Sequence, residues 1–246
     1  MAKKLNGIML AMLLLPVAAT ASHWGYEGNE SPEHWGELDS NWTECQKGQN
    51  QAPVDIRETY NVHLKPLRTQ YTTSPDTLLN NGHTIQASYN DSNTANTLFL
   101  DNDSFTLKQF HFHAPSENMI HGKHYPMELH LVHQNSDGEI AVVAVMFVPG
   151  TASTELAKLW KVMPDHADKS SSLLARIDVN KLLPGDKTYW RFSGSLTTPP
   201  CSEGVRWIVM KHPLQASAEQ LAQFKSVIHH SNNRPVQKLH GRTILE

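Results

Sequence analysis

The chain has 246 residues, 39% of them hydrophobic and 18% charged, with a formal charge of −3 and two cysteines. That length allows one large domain or two small ones around a substantial core. The mildly acidic balance has no basic run and excludes charge-driven nucleic-acid binding, and no apolar stretch beyond the N-terminus is long enough to cross a bilayer, so neither nucleic acid nor membrane is an expected partner.

In chain order, MAKKLNGIMLAMLLLPVAATA places Lys3 and Lys4 before an apolar run that Pro16 interrupts and that ends on Ala19, Thr20 and Ala21. This pattern describes a signal peptide cut after Ala21 rather than a membrane anchor, which needs about 20 apolar residues. Residues 1–21 are therefore assigned to export and 22–246 to one mature domain, which no repeat, low-complexity tract or Ser/Gly linker divides. An exported chain whose only cysteines are Cys45 and Cys201 most simply pairs them; the alternative is two separate buried thiols.

Short apolar or alternating runs follow: TIQASY, TLFL, FTLKQFHFH, MELHLVHQ, IAVVAVMFV, TYWRFSGS and VRWIVM, separated by Asn, Asp, Gly and Pro clusters that predict turns. QNSDGE, between two of these runs, predicts a hairpin connection. SAEQLAQFKSVI, residues 217–228, predicts a helix capped by Ser217, with Leu221, Phe224 and Ile228 on one face. The pattern is β-rich with minor helices.

Within QFHFHAPSEN, residues 109–118, strand alternation puts Gln109, His111 and His113 on one face and Phe110 and Phe112 on the other. An HxH pair alone fits two polar residues on a solvated strand as readily as a metal site. MELHLVHQ sharpens the reading, because Glu128, His130 and Val132 share a face, and His130 on a neighbouring strand completes three nitrogens. His133 then points the other way as a hydrogen-bonded structural residue. Three neutral imidazoles with an open fourth position describe catalytic rather than structural zinc. Gln109 and Glu128 are placed to orient the ligand rings. Neither HExxH nor paired CxxC motifs occur, which argues against a metalloprotease or a zinc finger.

With HWGYEG, SPEHW, NNGHTIQ, QFHFHAPSEN, MELHLVH, YWRFSGSLTTPPCSEGVRWIV and NNRPVQ in this order, the chain from about Trp24 onward resembles the α-class carbonic anhydrases, in their bacterial exported form. The resemblance implies a mainly β (α+β) single domain around a large twisted, mostly antiparallel central sheet with short peripheral helices. It implies one Zn2+ per chain on His111, His113 and His130, with Asn232 joining Gln109 and Glu128 in support. Glu117 and Thr197 match the pair that orients the zinc-bound hydroxide, the threonine accepting from the hydroxide and donating to the carboxylate. His83 matches the proton shuttle, with Tyr26, Asn81 and Gln86 along its water path. Vertebrate relatives commonly have Asn where Gln86 stands, a difference that bears on the water geometry.

Val132, Val142, Leu196 and Trp207 match the apolar wall beside the metal, residues that by type alone are ordinary core. Thr198 matches a polar group at the bicarbonate and inhibitor site, and Cys45 and Cys201 match a family disulfide. Ala114, Pro115 and Gln134 depart from vertebrate forms and agree with bacterial ones. The implied activity is zinc-dependent reversible hydration of carbon dioxide to bicarbonate and a proton. Hydrolysis of activated esters is a side activity, and sulfonamides and anions are expected inhibitors at the zinc. The rival class, a binding module on the same fold, usually lacks a ligand histidine, and all three are present here. The periplasm is the expected destination, and a homodimer is an open expectation drawn from bacterial relatives.

Overall fold

Seven stretches read as strands pair in the computed structural model of the chain, which describes residues 23–90 and 95–246; the export segment assigned to 1–21 lies outside the described residues. The seven are Ile85–Ser88, Thr97–Leu100, Asp103–His113, Met127–Gln134, Ile140–Pro149, Tyr189–Ser195 and Glu203–Met210. Arg68–Gln70, Thr77–Asn80, Lys169–Ser172 and Leu214–Ala216 join them in an eleven-stranded sheet. Each added strand is too short for a period of two to stand out. The pairs are antiparallel except that Ile140–Pro149 runs parallel to Glu203–Met210 and to Leu214–Ala216, so the sheet is mixed. A separate parallel pair joins Asp55–Ile56 to Met119–Ile120.

The expected hairpin forms between Met127–Gln134 and Ile140–Pro149. Asn135 Oδ1 accepts from the backbone of Asp137 and Glu139, and Gly138 supplies φ +84°, the left-handed geometry this turn requires.

Both faces of the sheet are covered. One apolar cluster holds Phe110, Phe112, Leu129, Leu131, Val143 and Val145. The other holds Val142, Ala144, Met146, Trp207 and Val209. A bulge decides which face the histidines take. Phe105 and Leu107 point into the first cluster, so strict alternation would carry residues 109, 111 and 113 into it as well. The register shifts between Leu107 and Gln109, which resets the alternation and sends Phe110 and Phe112 into that core instead. His111 and His113 thereby reach the opposite face.

The predicted helix runs Ala218–Ile228. Ser217 Oγ accepts from Gln220 N, the Gln220 side chain returns the bond to the Ser217 N–H, and Leu221, Phe224 and Ile228 are buried. Phe224 meets Trp160 of the Thr154–Trp160 helix, and both rings pack on Phe112. The residue between the two histidines is thus pinned from below. Among the described residues no helix is long and apolar enough to cross a membrane.

Cys45 and Cys201 form a disulfide across 156 residues and pack with Trp35. Closing so long a loop restricts the unfolded chain, so Cys45→Ser is expected to cost roughly 2 to 5 kcal/mol. Denaturant unfolding checks it, and a midpoint equal to the parent's would show that the cross-link contributes nothing.

Candidate metal centre

His111 and His130 sit directly opposite each other on adjacent antiparallel strands, and His113 faces Glu128 one step along. Directly opposed side chains on one face lie close together. Their ring centroids are 4.6 to 5.3 Å apart in pairs, and one nitrogen from each ring lies within 4.8 Å of the others. Outer partners fix the rings: His111 Nδ1 donates to Gln109 Oε1 at 2.8 Å, and His113 Nδ1 to the Asn232 carbonyl at 2.6 Å. Both Nε2 atoms therefore carry free lone pairs. Glu128 Oε1 stands 3.1 Å from His130 Nε2, off the line of a full hydrogen bond, and leaves Nδ1 for the centre.

Burial, the largest influence, lowers the pKa of all three rings, and at His111 and His130 neighbouring histidines add to it. Neutral imidazole is the form that ligates. His113 Nε2 is buried without a hydrogen-bond partner, a costly arrangement that a bound cation removes. Three imidazoles without thiolate, two of them hydrogen-bonded from behind, fit a metal ion that keeps an exchangeable position.

Glu117 lies under this group. Its backbone N–H and that of Asn118 donate to Glu128 Oε2 at 2.7 and 2.9 Å, and Asn118 Nδ2 donates to Oε1 at 2.7 Å. Glu128 therefore anchors the 117–118 turn as well as facing His130. Glu117 Oε1 accepts from Arg234 N at 2.9 Å, while Oε2 lies 3.6 Å from His113 Nε2. The Thr197 hydroxyl faces the same carboxyl and favours its charged form, although Oε2 has no full hydrogen bond. Burial outweighs these donors and pushes the Glu117 carboxyl up to about 8.

Tyr26, Asn81, His83, Gln86 and Thr198 line one cavity of about 120 Å³ with Gln109, His111 and His113, room for several waters. Asn81 Oδ1 is committed to the turn that carries His83, accepting from the backbone of His83 and Thr84. Gln86 Nε2 donates to Ser88 Oγ at 2.9 Å. Each amide thus has one half engaged by the protein.

Val132, Val142, Leu196 and Trp207 also come together, in the second apolar cluster. Trp207 donates from Nε1 to the Ser195 carbonyl and sets its ring edge-on to His130 at 4.9 Å. Gly194 permits this packing: a Cβ there would meet Trp207 Cδ1 at 2.7 Å and Ala52 Cβ at 3.2 Å. His133 points away as expected, buried between the Tyr71 hydroxyl at 2.7 Å and the Ala141 carbonyl at 3.2 Å.

Sequence reading left two contributors unassigned. Arg234, fully buried, donates to Gln51 Oε1, the Ala52 carbonyl and the Cys45 carbonyl, each at 2.8 Å. Its place in NNRPVQ is visible, but burial of a charge leaves no periodic signal. Trp24 stacks on His83 with centroids 3.8 Å apart and planes 6° apart. An aromatic residue near the start of HWGYEG gives no hint of a partner sixty positions on.

Comparison with known proteins adds an independent line. The family model for eukaryotic-type carbonic anhydrase matches residues 30–246. The carbonic anhydrase of Klebsiella pneumoniae is 58% identical over 238 residues, 97% of this chain and 96% of that protein. That of Pectobacterium carotovorum is 48% identical over the same shares. The solved α-carbonic anhydrase of Thermovibrio ammonificans in complex with sulfanilamide superposes with a TM-score of 0.89 at 46% identity, over 92% of this chain and all of that one.

Proposed function

The chain belongs to the eukaryotic-type, or α, carbonic anhydrase family, enzymes of carbon dioxide hydration, and from that premise we propose that it works as a zinc enzyme through the centre described above. The observation that carries this reading is the convergence of three neutral imidazoles, two of them hydrogen-bonded from behind and the third facing Glu128, over a buried carboxyl. His111 through Nε2, His113 through Nε2 and His130 through Nδ1 would hold the ion. Zinc so held supplies a Lewis acid that makes a water acidic enough to act as a nucleophile near neutral pH, chemistry for which this family is the standard example.

The chain's own residues direct that chemistry. Thr197, donating its hydroxyl proton to Glu117, has only lone pairs left to offer the cleft. It accepts a hydrogen bond from the reacting water and so turns an oxygen lone pair toward the substrate carbon. Glu117 holds still because Arg234 N fixes its other oxygen and Glu128 fixes its backbone. Val132, Val142, Leu196 and Trp207 offer carbon dioxide an apolar surface beside His130. Thr198 supplies a polar contact for the bicarbonate product. His83, at the rim of the cavity, takes the surplus proton, with Tyr26, Asn81 and Gln86 shaping the water between.

Hydrolysis of activated esters is a side activity of the same nucleophile. Sulfonamides bind the centre, a reading supported by the sulfanilamide complex of the Thermovibrio protein. Lys3, Lys4 and the apolar run after them support export to the periplasm, where the Cys45–Cys201 bridge persists.

The test is stopped-flow hydration of carbon dioxide by the mature protein before and after chelation. The expected result is fast turnover that disappears with the metal and returns on adding zinc. A protein that binds zinc at this centre and yet does not hydrate carbon dioxide would overturn the proposal.

A further inference from the structure

His83, which lines the cavity, has a second imidazole near it across the Tyr26 ring. The Ala218–Ile228 helix ends on His229, whose left-handed backbone, φ +66°, closes an N–H bond to the Lys225 carbonyl at 3.0 Å. That reversal brings the next residue, half-buried His230, against Tyr26, with ring centroids 5.6 Å apart. Tyr26 in turn stands edge-on to His83 at 6.5 Å. The two segments are tied together, because Asn232 Nδ2 donates to the His83 carbonyl at 2.9 Å. His23 adds a third ring, 6.3 Å from His83.

We propose that His230 is a second proton carrier of the cleft, paired with His83 around the Tyr26 ring, so that the proton released by hydration leaves through either of two imidazoles. The proposal rests on the hydratase reading above. Hydration of one carbon dioxide by one water yields bicarbonate and one proton. One ring nitrogen of His83 or His230 accepts that proton from cavity water, the other nitrogen releases one to buffer, and the ring returns to neutral. No further reactant is needed.

The surroundings suit exchange. Trp24 lies flat on His83 and can face its cationic form, steadying the ring without trapping the proton. Burial first, then the charges of His23 and His230, lower the His83 pKa, and Asp168 opposes them. Glu30 Oε2 sits 3.6 Å from His23 Nε2, so that ring has an acidic partner of its own. His230 Nδ1 meets the adjacent Ser231 carbonyl at 3.2 Å, and among the described residues no carboxylate makes an ion pair with it.

Stopped-flow rates in weak and strong buffer for the parent, His83→Ala, His230→Asn and the double variant test this. A positioned acid–base group can contribute ~10² to 10⁴-fold, but each single variant retains one carrier, so its strong-to-weak rate ratio should rise only about threefold. The double variant should exceed both singles, and added imidazole should restore its weak-buffer rate. On the zinc-loaded protein, histidine NMR should show the His83 midpoint rising in His230→Asn, because a neighbouring positive charge is gone. A double variant whose ratio equals that of His83→Ala, no rescue by imidazole, or an unmoved His83 midpoint would each overturn the relay. Lack of hydration by the parent protein would instead sink the hydratase reading, and the relay with it.

Discussion

Thr197→Ala is expected to lower carbon dioxide hydration by roughly 10² to 10³-fold, or about 3 to 4 kcal/mol of barrier, the usual loss when one preorganised polar group at the reacting atoms is removed. Thr197 is a buried hydroxyl facing Glu117, whose other oxygen and backbone are already fixed by Arg234 and Glu128. Alanine keeps the loop but leaves the cleft without an acceptor of fixed direction. Thr197→Ser should stay within a few-fold of the parent, because the hydroxyl survives, and zinc content and unfolding midpoint should be unaltered in both variants. A loss under tenfold in Thr197→Ala with zinc fully bound would remove Thr197 from the orienting pair.

Arg234→Met is expected to cost about 3 to 5 kcal/mol of stability, the range for breaking a buried charged network from one side. The guanidinium is 1% exposed, and its pKa falls to about 10, chiefly by burial, so it stays charged at neutral pH. Removing it strands Gln51 Oε1 and the carbonyls of Ala52 and Cys45 in a dry interior. At about 2 to 4 °C per kcal/mol for a chain of this size, the melting temperature should drop on the order of 10 °C. Arg234→Lys should recover only part of it, since an ammonium cannot reproduce the planar fork. A thermal midpoint within a degree of the parent's would show that the network is dispensable.

Much of this architecture is legible in the residues. The ladder of alternating runs and the HxH pair facing His130 follow from a period of two, and the Ala218–Ile228 helix from a period of 3.6 after a capping Ser217, and the structure places them accordingly. The reset at Leu107 is harder to see. FTLKQFHFH looks like one regular strand, and only the slip from Leu107 to Phe110 in the apolar spacing betrays a bulge. The short helices Trp35–Leu38 and Glu44–Lys47 carry too few turns for a periodic signal. The Thr154–Trp160 helix, with Leu156, Leu159 and Trp160 inward, is barely two turns and escapes for the same reason. Of the site, Trp24 and Arg234 were beyond local reasoning, because their partners are set by long-range topology. Gln86 and Asn81 were placed at the cavity but not seen to be half engaged by Ser88 and by the His83 turn.

The backbone carbonyl of Asn232 steadies His113 and the backbone N–H of Arg234 steadies Glu117, while Leu245 bridges to Tyr60 and Arg191. The centre is therefore finished by a segment about a hundred positions beyond His130. Gln109 and the strand pairing can set His111 opposite His130 without that segment, but His113 and Glu117 gain these backbone partners only when it docks, so a chain truncated before Asn232 would carry all three histidines with two of their supports missing.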